Sequence, residues 1–356
     1  MATTTRKTDQ NTGDGSAWDQ ASGAAGRDIC RLITQNGRSC KQCWRSRVIG
    51  GAYTPDQLRE ALVELKSYLV DKNAPFGVDL LIPRVGGNAR KSNYDYTDSK
   101  LDELIQKIVE SGVRLFVSAV GLPPKGVVDA LHKGGMLYMN MVGHPSHAQK
   151  AIENGADLLC AQGGEAGGHT GEIPIVILVP AVSKIINHQK STITGKEVQL
   201  VAADGLFNGQ SLAATLMLGA SAVWIGTQFT LVDESGAPPY LQEALRKASF
   251  GDIIRTTIFT GRPLHARSSP YIRRWEEGRR QEKLDLQSKD IIPIQHELKT
   301  KPDDKEVNEN AHPVLMGKVA GMVSEKSPAK KIIDDMVDEA SALLIKGQKL
   351  VLTPKL

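Results

Sequence analysis

Short apolar runs alternate with helical patterns along most of this 356-residue chain. One helical pattern opens with Thr54 and Gln57 at the spacing of a capping box, and leucines follow at helical intervals. Strands that alternate with helices in this way form a parallel sheet, and short apolar strands suit a sheet that is buried on both faces. Strand-like runs begin at Val48, Phe76, Leu115, Met136, Leu158, Val198 and Ala222.

These seven runs predict an α/β protein with a TIM (β/α)8-type barrel, which needs eight strands when it is closed. The first βα unit is the one that is not recognised, and it should lie before Val48. Residues 1–47 are atypical, and we expect disorder because residues 1–28 have almost no apolar side chain to bury. Residues 29–33 are the only candidate strand there. Residues 48–250 form the predicted barrel, and residues 251–356 form a C-terminal helical extension that packs on it.

Composition excludes several classes of partner. The net charge is +4, and no basic stripe is interleaved with aromatic residues, so we do not expect nucleic acid to bind. The uncharged stretch between Asp204 and Asp233 is interrupted by polar residues, which argues against a membrane span. The N-terminal residues lack the apolar core of a secretion signal, so we predict a cytoplasmic protein. The C-terminal residues 354–356 share only Lys-Leu with the peroxisomal Ser-Lys-Leu signal.

A glycine-rich stretch, Cys160–Gly171, follows one of the apolar runs and contains five glycines around His169. Glycines let a backbone approach a ligand where a Cβ atom would collide, and a histidine beside them is a candidate for proton transfer. The alternative is a surface turn with a solvated histidine.

A second glycine-rich region strengthens the interpretation as a binding site. The apolar run from Val198 ends at Gly205, and the run from Ala222 ends at Gly226. Two neighbouring strands that end in this way can direct backbone N–H groups and a helix N-terminus at one anion. In a barrel this is the position of the phosphate site after strands seven and eight.

The chain resembles the nitronate monooxygenase family, formerly called 2-nitropropane dioxygenases, and most closely its fungal members. The resemblance covers about residues 48–345 and is carried by Phe76–Pro83, Asn140–Pro145, Gln162–Gly171, Gly219–Phe229 and Thr260–Pro263. It implies an FMN-binding (β/α)8 barrel with an added helical segment. It also implies oxidation of alkyl nitronates, and in some cases nitroalkanes, with O2 to a carbonyl compound and nitrite, using noncovalent FMN and no metal.

The resemblance also assigns residues to the site. It implies that Gln162, Gly164 and Gly167 contact the flavin, and that Gly205, Trp224, Ile225, Gly226 and Thr227 bind its phosphate. Asp204 stands where many relatives have glycine, and Gln228 replaces a common arginine, so phosphate binding should be weaker. The family's N-terminal Pro-Met motif is not found in residues 1–47.

His169 is the predicted general base for neutral nitroalkanes, because a histidine with an ordinary pKa near 6.5 suits proton transfer at neutral pH. Arg262 is either a site for an anionic nitronate or an ion-paired surface residue. His144 and His147 have no third ligand nearby in sequence, so we expect no metal site.

Two other functions stay open at this point. The chain could be an inactive barrel that serves as a binding scaffold, or an FMN oxidoreductase for another substrate, such as an enoyl-reductase-like or secondary-metabolism enzyme. Since no G-x-G-x-x-G fingerprint follows a strand, the sequence mildly disfavours a reductase that uses NAD(P)H.

Overall fold

The computed structural model describes residues 29–32, 44–51, 54–69, 71, 73–82 and 95–350. In barrel order the strands are β1 (Ile29–Leu32), β2 (Trp44–Gly51), β3 (Phe76–Leu81), β4 (Leu115–Ala119), β5 (Leu137–Val142), β6 (Leu158–Gln162), β8 (Gln199–Ala203) and β9 (Ala222–Trp224). A short strand, β7 (Gly168–His169), lies outside the closed barrel. The strands from β2 to β9 in this barrel run parallel, which confirms the predicted α/β barrel.

The barrel is closed by β1, which runs antiparallel to both of its neighbours. Ile29 pairs with Arg47 of β2, and Leu32 pairs with Ala222 of β9. A strand of opposite direction therefore fills the place of the first parallel strand. Residues 29–32 and 44–47, which lie in the segment predicted to be disordered, are strands, and the rest of residues 1–47 lies outside the described residues.

Helices connect the parallel strands and build the C-terminal extension. In chain order the α-helices of the described residues are α1 (Pro55–Tyr68), α2 (Leu101–Glu110), α3 (Lys125–Lys133), α4 (Pro145–Glu153), α5 (Ile175–Ile186), α6 (Gly209–Met217), α7 (Pro239–Arg246), α8 (Pro270–Arg273), α9 (Arg280–Ser288), α10 (Pro293–Thr300), α11 (Lys305–Glu309) and α12 (Ala329–Gln348). Short 3-10 helices cover Thr227–Leu231, Phe250–Asp252 and Lys318–Met322, and a π-helical turn covers Arg274–Gly278.

The start of α1 shows how local sequence sets an element. Gln57 N donates to Thr54 Oγ1 at 3.3 Å, and Thr54 N donates to Gln57 Oε1 at 2.8 Å, so the predicted capping box is present. Leu58, Leu62 and Leu65 follow on one face of the helix and are buried. Each such leucine contributes about 1.5–3 kcal/mol when it is fully buried, which fixes this face against the sheet.

The core has two layers because successive strand side chains point to opposite faces. Inside the barrel, Val117, Met139, Cys160, Val201 and Trp224 belong to one buried cluster. A larger cluster lies between the outer face of the strands and the helices. The barrel is therefore filled with side chains, and a ligand can bind only at the ends of its strands.

The C-terminal extension adds strands directly to the glycine-rich loop. Strand β10 (Ile253–Thr256) pairs with β11 (Leu264–Arg267), and β11 pairs with β7. Leu264 is opposite His169 in this small antiparallel sheet. The extension therefore takes part in the structure around His169, in addition to packing on the barrel.

A buried carboxylate ties the helices of the extension together. Glu297 accepts hydrogen bonds from Tyr271 Oη at 2.6 Å, Trp275 Nε1 at 3.2 Å, and Arg279 Nη1 and Lys301 Nζ at 2.8 Å each. Burial alone would raise the pKa of Glu297, but the hydrogen bonds from Lys301, Tyr271 and Arg279 outweigh it and lower the pKa to about 2. This carboxylate therefore stays charged and stabilises the extension at neutral pH.

The last helix, α12, packs against the start of α6. Glu339 Oε2 accepts a hydrogen bond from Gly209 N at 2.7 Å, and a Cβ atom at Gly209 would lie 2.6 Å from Ala340 N. A glycine is therefore required for this close approach. Within the described ranges, none of the helices is long and apolar enough to cross a membrane. Residues 354–356 lie outside the described residues.

Candidate active site

The glycine-rich loop lies at the carboxyl ends of β6 and β8. Gly163 N donates to Ala203 O at 3.3 Å, and Gly164 N donates to Ile173 O at 3.0 Å. Gly171 N donates back to Gly163 O at 3.2 Å, which closes the loop on itself. The glycine-rich stretch is thus a loop with a fixed backbone at the mouth of the barrel.

The C-terminal extension holds the other side of this loop. His265 Nδ1 lies 2.9 Å from Ala166 O, so this nitrogen is the protonated donor. A Cβ atom at Gly167 would lie 2.6 Å from Gly317 N, and one at Gly164 would lie 3.0 Å from Glu172 O. Glycine at both positions is therefore explained by close contacts with the protein's own backbone.

His169 is held through its backbone and its ring. Gln162 Nε2 donates to His169 O at 3.2 Å, and His169 Nε2 lies 3.0 Å from Thr260 Oγ1. The residue as a whole is half-buried. Gln162 and His169 are thus adjacent at the barrel mouth, and the contact of His169 with Thr260 was not predicted from the sequence.

The charge state of His169 differs from the sequence-based expectation. Burial of the imidazole lowers its pKa, and the positive charge of Arg262 lowers it further, to about 4. The expected pKa near 6.5 is therefore too high, because burial could not be deduced from the residue's neighbours in sequence. His169 is neutral at pH 7 and can accept a proton.

Arg262 reaches across the mouth of the barrel. Its Nη1 atom lies 3.5 Å from Val120 O, just beyond the end of β4. Val120 has a φ of 72°, which is rare for a β-branched residue and costs on the order of 1–3 kcal/mol. Strained residues of this kind cluster at active sites, so Val120 is a second, independent pointer to this end of the barrel.

The predicted anion site lies at the ends of β8 and β9. The backbone N–H groups of Gly205, Gly226 and Thr227 donate to no acceptor in the part of the chain that the structure describes. Gly205 has a φ of 69°, and the preceding Asp204 has a φ of 85°, where glycine is favoured. Backbone N–H donors on two adjacent strand ends that have no acceptor among the described residues fit a phosphate group.

A third segment joins this anion site from the extension. Gly317 N donates to Thr227 Oγ1 at 3.4 Å, and Lys318 N donates to Glu165 O at 3.0 Å. The role of Gly317 was not predicted from the sequence. Its only signal is a glycine after the apolar residues 314–316, and nothing in that pattern indicates contact with a loop 150 residues earlier.

Trp224 and Ile225 use their side chains in packing. Trp224 is 7% exposed and lies in the cluster inside the barrel, whereas Ile225 is 4% exposed and lies in the outer cluster. Their side chains therefore serve the core, and their backbones carry the chain to Gly226.

The two neighbouring histidines have a simpler role. His144 is the N-cap of α4, and its Nδ1 atom accepts a hydrogen bond from Ser146 N at 3.1 Å. The rings of His144 and His147 lie 5.7 Å apart. Among the described residues, no group of three or more His, Cys, Asp or Glu side chains could hold a metal ion.

Comparisons with known proteins agree with this architecture. A sequence model of the nitronate monooxygenase family matches residues 47–339. Nitronate monooxygenase of Neurospora crassa is 36% identical over 132 residues, which cover 36% of this chain and 34% of that protein. FabK from Thermotoga maritima is 26% identical and superposes with a TM-score of 0.65 over 86% of this chain and 88% of that one.

A solved nitroalkane oxidase from Streptomyces ansochromogenes shares the fold, with a TM-score of 0.67 over 85% of this chain and 90% of that one, at 22% sequence identity. The family match spans the barrel from β2 into α12, and it includes the glycine-rich loop, both strand ends of the anion site and most of the extension. Its members are flavin oxidoreductases. The chain therefore belongs to the nitronate monooxygenase family.

Proposed function

We propose that this protein uses FMN to oxidise alkyl nitronates with O2, giving a carbonyl compound and nitrite. One observation carries the proposal: a neutral histidine, an arginine and a set of backbone N–H donors without an acceptor among the described residues meet at one end of the barrel. Both the substrate and the cofactor phosphate are anions, so this combination suits them. The proposed reaction rests on the site and on membership of the family.

The residues at the ends of β8 and β9 fit the phosphate of FMN. Gly205, Gly226 and Thr227 would donate backbone N–H groups to it, with the backbone of Trp224 and Ile225 leading into the turn. Gln162, Gly164 and Gly167 would line the flavin from the glycine-rich loop. When bound, FMN supplies the redox chemistry, taking electrons from the substrate and passing them to O2.

Two side chains of the protein would act on the substrate. Arg262 would attract the negative nitro group of a nitronate, since its charge is close enough to lower the pKa of His169. A nitronate has already lost its α-proton, so His169 would have no proton to remove from it. For a neutral nitroalkane, His169 would act as the general base.

The deciding experiment measures cofactor and reaction on one preparation. The purified chain should show a flavin absorbance spectrum, release FMN on denaturation, and form nitrite when propionate 3-nitronate is added in air. A folded protein that binds FMN without oxidising nitronates would refute the reaction, and one that fails to bind FMN would favour the inactive scaffold.

The same preparation tests a reductase. An enoyl-reductase-like enzyme, which the sequence leaves open as an alternative, would take hydride from NAD(P)H. Under anaerobic conditions NADPH should bleach the flavin slowly if the proposed function is right, whereas rapid bleaching would support an enoyl-reductase-like enzyme.

A further inference from the structure

The hydroxyl group of Thr260 has three hydrogen-bonding neighbours. Its Oγ1 atom lies 3.0 Å from His169 Nε2, 3.3 Å from Arg262 O and 3.3 Å from Arg262 N. Thr260 lies in the turn between β10 and β11, so it belongs to the C-terminal extension. One side chain thus links the imidazole to the backbone of the neighbouring arginine.

The donors and acceptors around Thr260 Oγ1 decide which nitrogen of His169 carries the proton. A threonine hydroxyl has one proton to donate and can accept two hydrogen bonds. Arg262 N is a donor and uses one acceptor position, whereas Arg262 O needs a proton from the hydroxyl. All three contacts are hydrogen bonds only if His169 Nε2 carries a proton and donates it to Thr260. If Nε2 were unprotonated, Thr260 would have to choose between His169 and Arg262 O.

We propose that Thr260 is a positioning residue that holds neutral His169 with its proton on Nε2, which leaves the lone pair on Nδ1. Nδ1 is then the atom that accepts a proton from substrate. The assignment of the tautomer follows from the contacts alone, and its catalytic consequence rests on the proposed function.

The proton transfer is balanced without any further reactant. The α C–H bond of a nitroalkane breaks, its electron pair stays on the substrate as the nitronate, and its proton forms a bond with Nδ1. His169 becomes an imidazolium that still donates from Nε2 to Thr260, and it later returns the extra proton to water. A rotated ring or the other tautomer would present an N–H group to the substrate and could not act as a base.

The first test reads the tautomer directly. In the full chain with FMN added, labelled with 15N-histidine, the nitrogen shifts of His169 are identified by their loss in His169→Asn. We expect a protonated Nε2 and an unprotonated Nδ1 in the wild type and in Thr260→Ser, and a mixture in Thr260→Val. A wild-type His169 protonated on Nδ1, or Thr260→Val with an unchanged tautomer, would overturn the proposal. This measurement does not depend on turnover.

The second test separates the base from binding. Thr260→Val should lower kcat/KM for nitroalkanes about tenfold, as expected for one lost hydrogen bond, and for nitronates less than twofold. Thr260→Ser should restore both. Thr257→Val is a matched control, because Thr257 accepts from Gln287 at 2.7 Å and its loss should leave both rates unchanged. Equal losses on both substrates in Thr260→Val would overturn the positioning role. Failure of all variants to oxidise nitronates would instead refute the proposed function.

Discussion

The low pKa of His169 predicts an unusual pH dependence for nitroalkane oxidation. An imidazole with a pKa of about 4 is about 90% neutral at pH 5, whereas one with a pKa of 6.5 is about 3% neutral. Relative to pH 7, a reaction that needs the neutral base should keep about nine tenths of its kcat/KM at pH 5. With an ordinary histidine it would keep about one twenty-fifth.

The assay compares initial rates of nitrite formation from a nitroalkane and its nitronate at pH 5 and pH 7. Because the nitronate needs no base, its rate corrects for changes in enzyme stability and flavin binding. His169→Asn should reduce the nitroalkane rate about a hundredfold or more at both pH values and spare the nitronate rate. Arg262→Gln should raise the pKa of His169 only in part, because burial is the larger cause.

One result would refute this reasoning. If the wild-type nitroalkane rate, corrected in this way, fell tenfold or more between pH 7 and pH 5, His169 would titrate near its ordinary pKa. The imidazole would then be more hydrated than the structure indicates. Equal losses on both substrates in His169→Asn would assign the residue to binding.

Three further predictions concern binding and stability. Gly226→Asp should abolish FMN retention after desalting, because its carboxylate would enter the phosphate site, whereas Gly126→Asp, at an exposed position where an added Cβ meets nothing within 4 Å, should keep FMN. Asp204→Gly should raise the free energy of unfolding in urea by about 1 kcal/mol, because it removes a side chain from a residue with positive φ. It should also tighten FMN binding, because it removes a negative charge beside the predicted phosphate site. Unchanged values would show that neither cost is present. Glu297→Gln should lower the free energy of unfolding at pH 7 by about 3 kcal/mol, while Glu282→Gln, which removes the exposed partner of Arg279, should cost under about 1 kcal/mol. The pKa of Glu297 is lower in the folded than in the unfolded protein, so its contribution to the free energy of unfolding is complete above about pH 4.5 and is lost as the pH falls toward 2. A difference in the free energy of unfolding between wild type and Glu297→Gln that persists at low pH would contradict this prediction.

The barrel could be predicted because each of its strands and helices is marked by a local sequence pattern. Each strand is a short apolar run, and a capping box such as that of Thr54 marks the start of the following helix. Glycines at the ends of β8 and β9 predicted an anion site, since the ends of adjacent parallel strands must meet at one edge. The sequence offered residues 29–33 as a candidate strand but did not predict that it closes the barrel in antiparallel direction, because the pairing of Ile29 with Arg47 has no sequence pattern of its own.

The environment of His169 could not be predicted for a related reason. Thr260 is 91 residues away from His169 in the chain, and Leu264 pairs with His169 through a strand of only two residues. No periodicity marks so short a strand. The pKa depends on burial and on the charge of Arg262, both of which exist only once the extension has folded onto the loop.

This dependence has a consequence for biosynthesis. Gly167 contacts Gly317, so a ribosome must add 150 more residues after the glycine-rich loop before its last neighbour exists. At about 5–20 residues per second this takes about 8–30 s. For the first two thirds of that interval the nascent barrel lacks β11, which is complete 100 residues after Gly167, and until the end of the interval it lacks the segment around Gly317. Cofactor capture should therefore be one of the final events in maturation, and ribosome-bound chains that end before residue 317 should emerge without flavin.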